Sequence, residues 1–154
     1  MARLLRESAA GRNSWRMKQA IHHLMIPTTG QSLVEITDAV LRWVGTQQLA
    51  TGLLTIWCRH TSASLLVQEN ADPDVRDDLL SFFRRIVPES GPYRHTAEGP
   101  DDMPAHIKSA LTQTQLTIPL DLGRLVLGTW QGIYLFEHRT GSHQREVVLH
   151  LIGE

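Results

Sequence analysis

Apolar residues along this chain recur with two different periods, and the order in which the periods alternate excludes more folds than any other feature. From Ser32 onward, Leu33, Ile36, Val40, Leu41 and Val44 step by three and four, which predicts an amphipathic helix that Ser32 caps with Glu35 three residues on. The stretch 74–87 repeats the helical pattern through Val75, Leu79, Phe82, Phe83 and Ile86, entered at Pro73 and stopped by Pro88. A shorter helix is expected from Asp102, acting as its cap with Pro104 in the first turn, to about Leu111. Around these lie runs with strand character: 18–28, 53–58, 115–119, 133–138 and 146–152, the last nearly all apolar or β-branched. No regular βαβαβ order appears, so a doubly wound parallel sheet is excluded. The expectation is an α+β domain with a mainly antiparallel sheet and three helices.

At 154 residues the chain suits one domain with a proper core. Its 15 Lys and Arg against 16 Asp and Glu generate no field that would draw it to nucleic acid or an anionic membrane, which favours a small-molecule partner. Cys58 is the single cysteine, so no intramolecular disulfide forms and a reducing compartment, the cytoplasm by default, is expected. Residues 1–16 carry Arg3, Arg6, Arg12 and Arg16 without the apolar run of a signal peptide. They read as a disordered or non-native N-terminal extension, leaving 17–154 as the domain. No stretch reaches the ~20 apolar residues of a membrane span.

The densest chemistry lies between His95 and Lys108, which packs His95, Glu98, Asp101, Asp102 and His106 among two prolines and a glycine. Unpaired charge is too costly to bury, so this is either a solvated loop or the wall of a site. His60 and His138 stand at the ends of predicted strands, where ligands usually sit. Neutral imidazole serves equally as a zinc-type ligand and as a general base, but the spacings match no compact zinc signature. Arg59 to Ser64 offers a cation, an imidazole and the hydroxyls of Thr61, Ser62 and Ser64, a set that suits a phosphate as well as an ordinary turn. Glu69, Asn70, Asp72 and Asp74 fit either a magnesium-type cation or helix capping. Gly128 and Gly132 flank Trp130 and Gln131, so a ligand ring stacked on the indole competes with a plain glycine-bounded turn. Cys58, among apolar neighbours, reads as an inert thiol.

Five ordered motifs carry a resemblance: His60-Thr-Ser-Ala-Ser-Leu65, Glu69-Asn70-x-Asp72-Pro73, Tyr93-x-His95-x-x-Glu98-Gly99, Asp101-Asp102-Met-Pro104-x-His106-Ile-Lys108 and Gly128-Thr-Trp-Gln-Gly132-Ile-x-Leu-x-Glu137-His138-Arg139. Over 17–154 the chain resembles the YjbQ family, also called secondary thiamine-phosphate synthases. The resemblance implies an α+β fold around an antiparallel sheet, a homotrimer and a histidine-lined metal site. It further implies a weak synthase activity that joins a pyrimidine methyl diphosphate to a thiazole phosphate and releases pyrophosphate. Ala71 stands where some members have cysteine, which removes any thiol role there.

Mapped by motif, His95, His106 and His138 become the metal ligands, while His60, His106, Glu98, Asp101 and Arg139 become the catalytic set. Ser62, Ser64, Asn70, Lys108, Trp130 and Gln131 become the substrate-binding set. The implied cofactor is a divalent ion, zinc-like at the histidines and magnesium for a diphosphate substrate. Arg59, Lys108 and Arg139 are the cations available to the leaving pyrophosphate. A metal-dependent hydrolase or lyase of another small phosphorylated or amide metabolite, and a non-catalytic metal-binding trimer, are the competing readings.

Overall fold

The computed structural model describes residues 16–154, so the reading of the N-terminal leader falls almost wholly outside the described residues. Two antiparallel sheets make up the body. The larger has five strands in the order β1 (Lys18–Thr28), β8 (His143–Gly153), β3 (Gly52–Cys58), β5 (Gln115–Asp121), β6 (Arg124–Leu125). The smaller runs β2 (Ser32–Glu35), β7 (Gln131–Glu137), β4 (Ala63–Glu69). Three helices complete it: α1 (Thr37–Thr46), α2 (Pro73–Ile86) and α3 (Asp102–Leu111). The α+β class read from the sequence is therefore the fold, and every named strand pairing is antiparallel.

Alternation explains the core. Leu54, Ile56 and Cys58 of β3 share a face with Val147, Leu149 and Leu151 of β8, and all are 2% exposed or less. Ile133 and Leu135 of β7 and Leu65 of β4 close the same cluster from the smaller sheet, with Val40 of α1. At ~25 cal/mol per Å² of apolar surface, each such fully buried side chain contributes roughly 1.5–3 kcal/mol. The opposite face of the large sheet is unusual. Ile21, Met25, Leu53, Trp57 and Ile152 are exposed there, with Leu53 opposite Ile152 and Trp57 opposite Val148 across β3 and β8.

Three local expectations need correction. The helix does not start at Ser32: residues 32–35 pair with β7, where Leu33 and Val34 meet Phe136 and Leu135. Cross-strand apolar pairing outweighs the capping box there. The Ser32 hydroxyl bonds Gly30 O instead, and α1 begins at Thr37. Strand β4 was hidden inside the stretch read as a hydroxyl turn and a carboxylate loop. Asp102 does not cap α3, since Asp101 holds the N-cap position, and its side chain accepts no bond from the helix's first amides. By contrast, Asp72 caps α2 by accepting from the Asp74 amide at 2.9 Å.

Candidate metal centre

Helix α3 places Asp102 and His106 four residues apart on one face, and the 95–101 loop folds back to bring His95 beside them. His95 Nε2 lies 2.8 Å and His106 Nε2 3.4 Å from the same oxygen, Asp102 Oδ2, and the ligand atoms of the three residues lie within 4.8 Å of one another. Tetrahedral bonds of ~2.0–2.2 Å would leave ligand atoms roughly 3.3–3.5 Å apart, so small adjustments suffice to hold an ion. The Nδ1 of His106 is 2.9 Å from Thr61 O, which only accepts, so Nδ1 carries a proton, and in the neutral ring Nε2 is the lone pair on the side of Asp102. A neutral ring so held offers Nε2 to a cation, whereas a protonated one pairs with the carboxylate directly; a backbone carbonyl on the far ring nitrogen is the usual support of a metal-bound histidine.

The other oxygen of Asp102 is held by the Arg139 guanidinium. Arg139 also donates through Nε to Asp101 Oδ2 at 3.0 Å and through a terminal nitrogen to Glu98 O at 2.7 Å. Asp101 accepts further from the Thr140 amide and hydroxyl, at 2.8 and 3.0 Å. Burial pushes the Asp101 carboxyl up, but these bonds and the Arg139 charge outweigh it and hold it at about 2. Arg139 and Asp101 thus position Asp102 rather than facing a ligand. Glu98, expected in the catalytic set, contributes its carbonyl to Arg139 and keeps its side chain in solvent, outside the His95–Asp102–His106 group.

The structure separates the remaining expected residues. His138 is 1% exposed, sits 2.8 Å from Ser64 Oγ through Nε2 and packs on Phe136, with ring centroids 4.3 Å apart. Burial, aided by the charge of Lys108, depresses its pKa to about 3. It is outside the His95–Asp102–His106 group, in which Asp102 is the third residue that could hold an ion. His60 accepts from the Glu146 amide at Nε2, 2.7 Å, and burial together with Arg145 pushes its pKa down. Its lone pair is occupied, which removes it as a general base at that nitrogen.

Ser62 and Ser64 are buried and Arg59 is tied to Glu146 at 2.7 Å, so of the three hydroxyls in the 59–64 segment only Thr61 lies on the surface. Cys58 is buried with its thiol pKa raised by burial, as an inert thiol should be.

Asn70, Trp130 and Gln131 lie at the far end of the smaller sheet. Gln131 pairs with Glu69 at the start of β7, whereas Glu137 ends it, six residues or ~20 Å away. There Asn70 and Gln131 border a pocket of about 540 Å³ lined also by Glu35, Asp38 and Leu127, whereas Trp130 is 63% exposed and does not line it. The expected substrate-binding set is thus divided between two places. Sequence reasoning missed Asp102 and Thr61 as site residues, although the i,i+4 spacing of Asp102 and His106 on a helix was a readable signal.

Beneath the site, Glu137 is fully buried and accepts from Arg145 Nε at 2.6 Å and Nη2 at 2.5 Å, from Thr28 Oγ1 at 2.7 Å and from the Arg139 amide at 2.9 Å. Burial raises its pKa, yet the Arg145 and Thr28 bonds bring it below the ordinary range.

A family model described as UPF0047 protein YjbQ-like matches residues 22–154. The chain belongs to the YjbQ family. A UPF0047 protein of Synechocystis sp. is 54% identical over 92% of this chain and 95% of the relative. YjbQ of Escherichia coli O157:H7 is 47% identical over 77% of this chain and 87% of its own length. Among solved structures, a YjbQ-family protein of Clostridium acetobutylicum superposes with a TM-score of 0.79 at 34% identity, covering 84% of this chain and 98% of that one. A protein of unknown function from Sulfolobus solfataricus gives 0.84 at 25% identity over 90% and 100%. The YjbQ-family fold extends over the α3 segment that carries Asp102 and His106, and no described helix is long and apolar enough to cross a membrane.

Proposed function

We propose that this YjbQ-family chain is a metal-dependent enzyme acting on a small phosphorylated metabolite, with the ion held by His95, Asp102 and His106. The observation that supports it is the geometry of the group: Asp102 Oδ2 lies 2.8 and 3.4 Å from the Nε2 atoms of His95 and His106, and Thr61 O holds the Nδ1 of His106, which leaves Nε2 of the neutral ring for an ion. Two imidazoles and one carboxylate favour a zinc-like ion over magnesium, and three protein ligands leave a position open to substrate or water. A bound ion would supply charge stabilisation and an activated water. Arg139 holds Asp102 in place, and Thr61 holds the ring of His106. A shallow groove of about 350 Å³ lined by His60, Thr61, His106, Ser109 and Thr112 gives a small substrate access to the edge of that ring.

Within this class, synthesis of thiamine phosphate is the reaction the family resemblance suggests. Its departing pyrophosphate calls for concentrated positive charge, which a bound ion would supply. Assembly as a homotrimer is part of the same reading, supported by the exposed apolar row Ile21, Met25, Leu53, Trp57 and Ile152 on the large sheet.

Elemental analysis of tag-free protein, with His106→Ala and Asp102→Asn beside it, tests the centre. Near-stoichiometric zinc-type metal is expected in the parent and at least a tenfold loss in each variant. Metal-free parent protein that cannot be loaded refutes it. The two phosphorylated precursors, supplied with and without chelator, then test the reaction: product should form above a mock preparation and fall at least tenfold in His106→Ala.

A further inference from the structure

We propose that Lys108 and Arg84 form a phosphate-binding subsite in the groove between the end of α2 and helix α3, distinct from the His95–Asp102–His106 group. Lys108 is 2% exposed, and none of the ion pairs among the described residues involves it. An ammonium on so buried a side chain, with no carboxylate within 4 Å among the described residues, is open to a counter-ion from the groove it borders. The sequence offered three cations for a leaving anion. Arg59 is spent on Glu146 and Arg139 on Asp101 and Asp102, which leaves Lys108.

A buried polar atom without a partner lies beside it. His138 Nδ1 has no hydrogen-bond partner, and His138 and Lys108 line one slit with Phe83, Phe136 and Glu137 that has no room for a water molecule. Lys108 also borders an open groove of about 240 Å³, lined with it by Gln31, Arg84, Val87, Pro88 and Glu89, which is ample for a phosphate when a water takes ~30 Å³.

The groove is arranged for an anion. Arg84 Nε donates to Gln31 Oε1 at 3.0 Å, and the Gln31 amide donates to Glu89 Oε1 at 3.2 Å. This chain of bonds steadies the guanidinium, whose terminal nitrogens have no carboxylate within 4 Å among the described residues, and it engages the single carboxylate of the groove with Gln31. A planar fork beside an ammonium matches the oxygens of a phosphate. Residues 106 and 108 project about 200° apart around a helix, so phosphate on Lys108 needs no ion on His106.

The test uses the full chain in excess chelator, with melting temperature followed against inorganic phosphate and against sodium chloride at matched ionic strength. A saturable, phosphate-specific rise is expected through binding linkage. Lys108→Met and the exposed-site variant Arg84→Gln should each weaken the apparent affinity at least tenfold, while His106→Ala keeps it. No phosphate-specific rise in the parent, an undiminished rise in both variants, or loss of the rise in His106→Ala overturns the proposal. Because chelator is present throughout, failure of the metal centre leaves this result readable.

Discussion

Replacing Glu137 with Gln keeps the shape of the side chain and removes one charge, and the structure sets the size of the consequence. The carboxylate is 0% exposed and its partner Arg145 5%, so neither is rescued by water. Two of its four bonds come from a guanidinium, each worth ~1.5–3 kcal/mol as a charged hydrogen bond. The amide of Gln must also turn its NH₂ toward Arg145 or the Arg139 amide, donor against donor. Breaking one side of a buried pair costs about 3–5 kcal/mol, a large share of the ~5–15 kcal/mol that holds a domain together. With a urea slope of ~2 kcal/mol/M, the midpoint should fall by about 1.5–2.5 M at fixed protein concentration. The paired change Glu137→Met with Arg145→Leu should recover most of that loss, because the penalty lies in the orphaned charge and not in the missing contact. A single variant within ~1 kcal/mol of the parent, or a double variant no better than the single, would show that the pair is not the buried unit described.

Two other outcomes follow from the same geometry. Asp101 and Glu137 have folded pKa values below their unfolded ones, so each contributes stability that is complete above the ordinary carboxylate range and lost as pH falls. For Asp101 the loss runs from about pH 4 to about pH 2, and Asp101→Asn should flatten the acid limb of a plot of melting temperature against pH there. Trp57→Glu places a charge in the centre of the exposed apolar row; light scattering should report a trimer for the parent and a smaller species for the variant, with an unfolded variant excluded by circular dichroism. A monomeric parent sinks the trimer reading.

Periodicity announced the long strands of the core, and it announced α2 although that helix covers its stripe only in part: Val75, Leu79 and Phe83 are half-buried, while Phe82 and Ile86 stay exposed. It failed at Ser32, where a local capping box competed with a strand partner about a hundred residues away, and at 63–69, where hydroxyls masked a strand buried at its first three residues. The site was legible in composition and not in roles. Asp102 and Asp101 are adjacent and alike in sequence, yet α3 turns one toward two imidazoles and the other toward Arg139 and Thr140. His138 and His106 are equally plausible ligands on paper, and only the pairing of β7 with β4 gives His138 to Ser64. Long-range pairing of this kind leaves no mark in local spacing.

Helix α3 carries His106 on one flank and Lys108 on the other, within a single turn of a ten-residue rod. A rod this short has no internal joint, so a displacement that brings one flank to its ligand carries the other with it. Cation and phosphate would therefore report on each other's occupancy. Whatever factor one contributes to the affinity of the other must be returned in equal measure, as reciprocity between two linked sites requires.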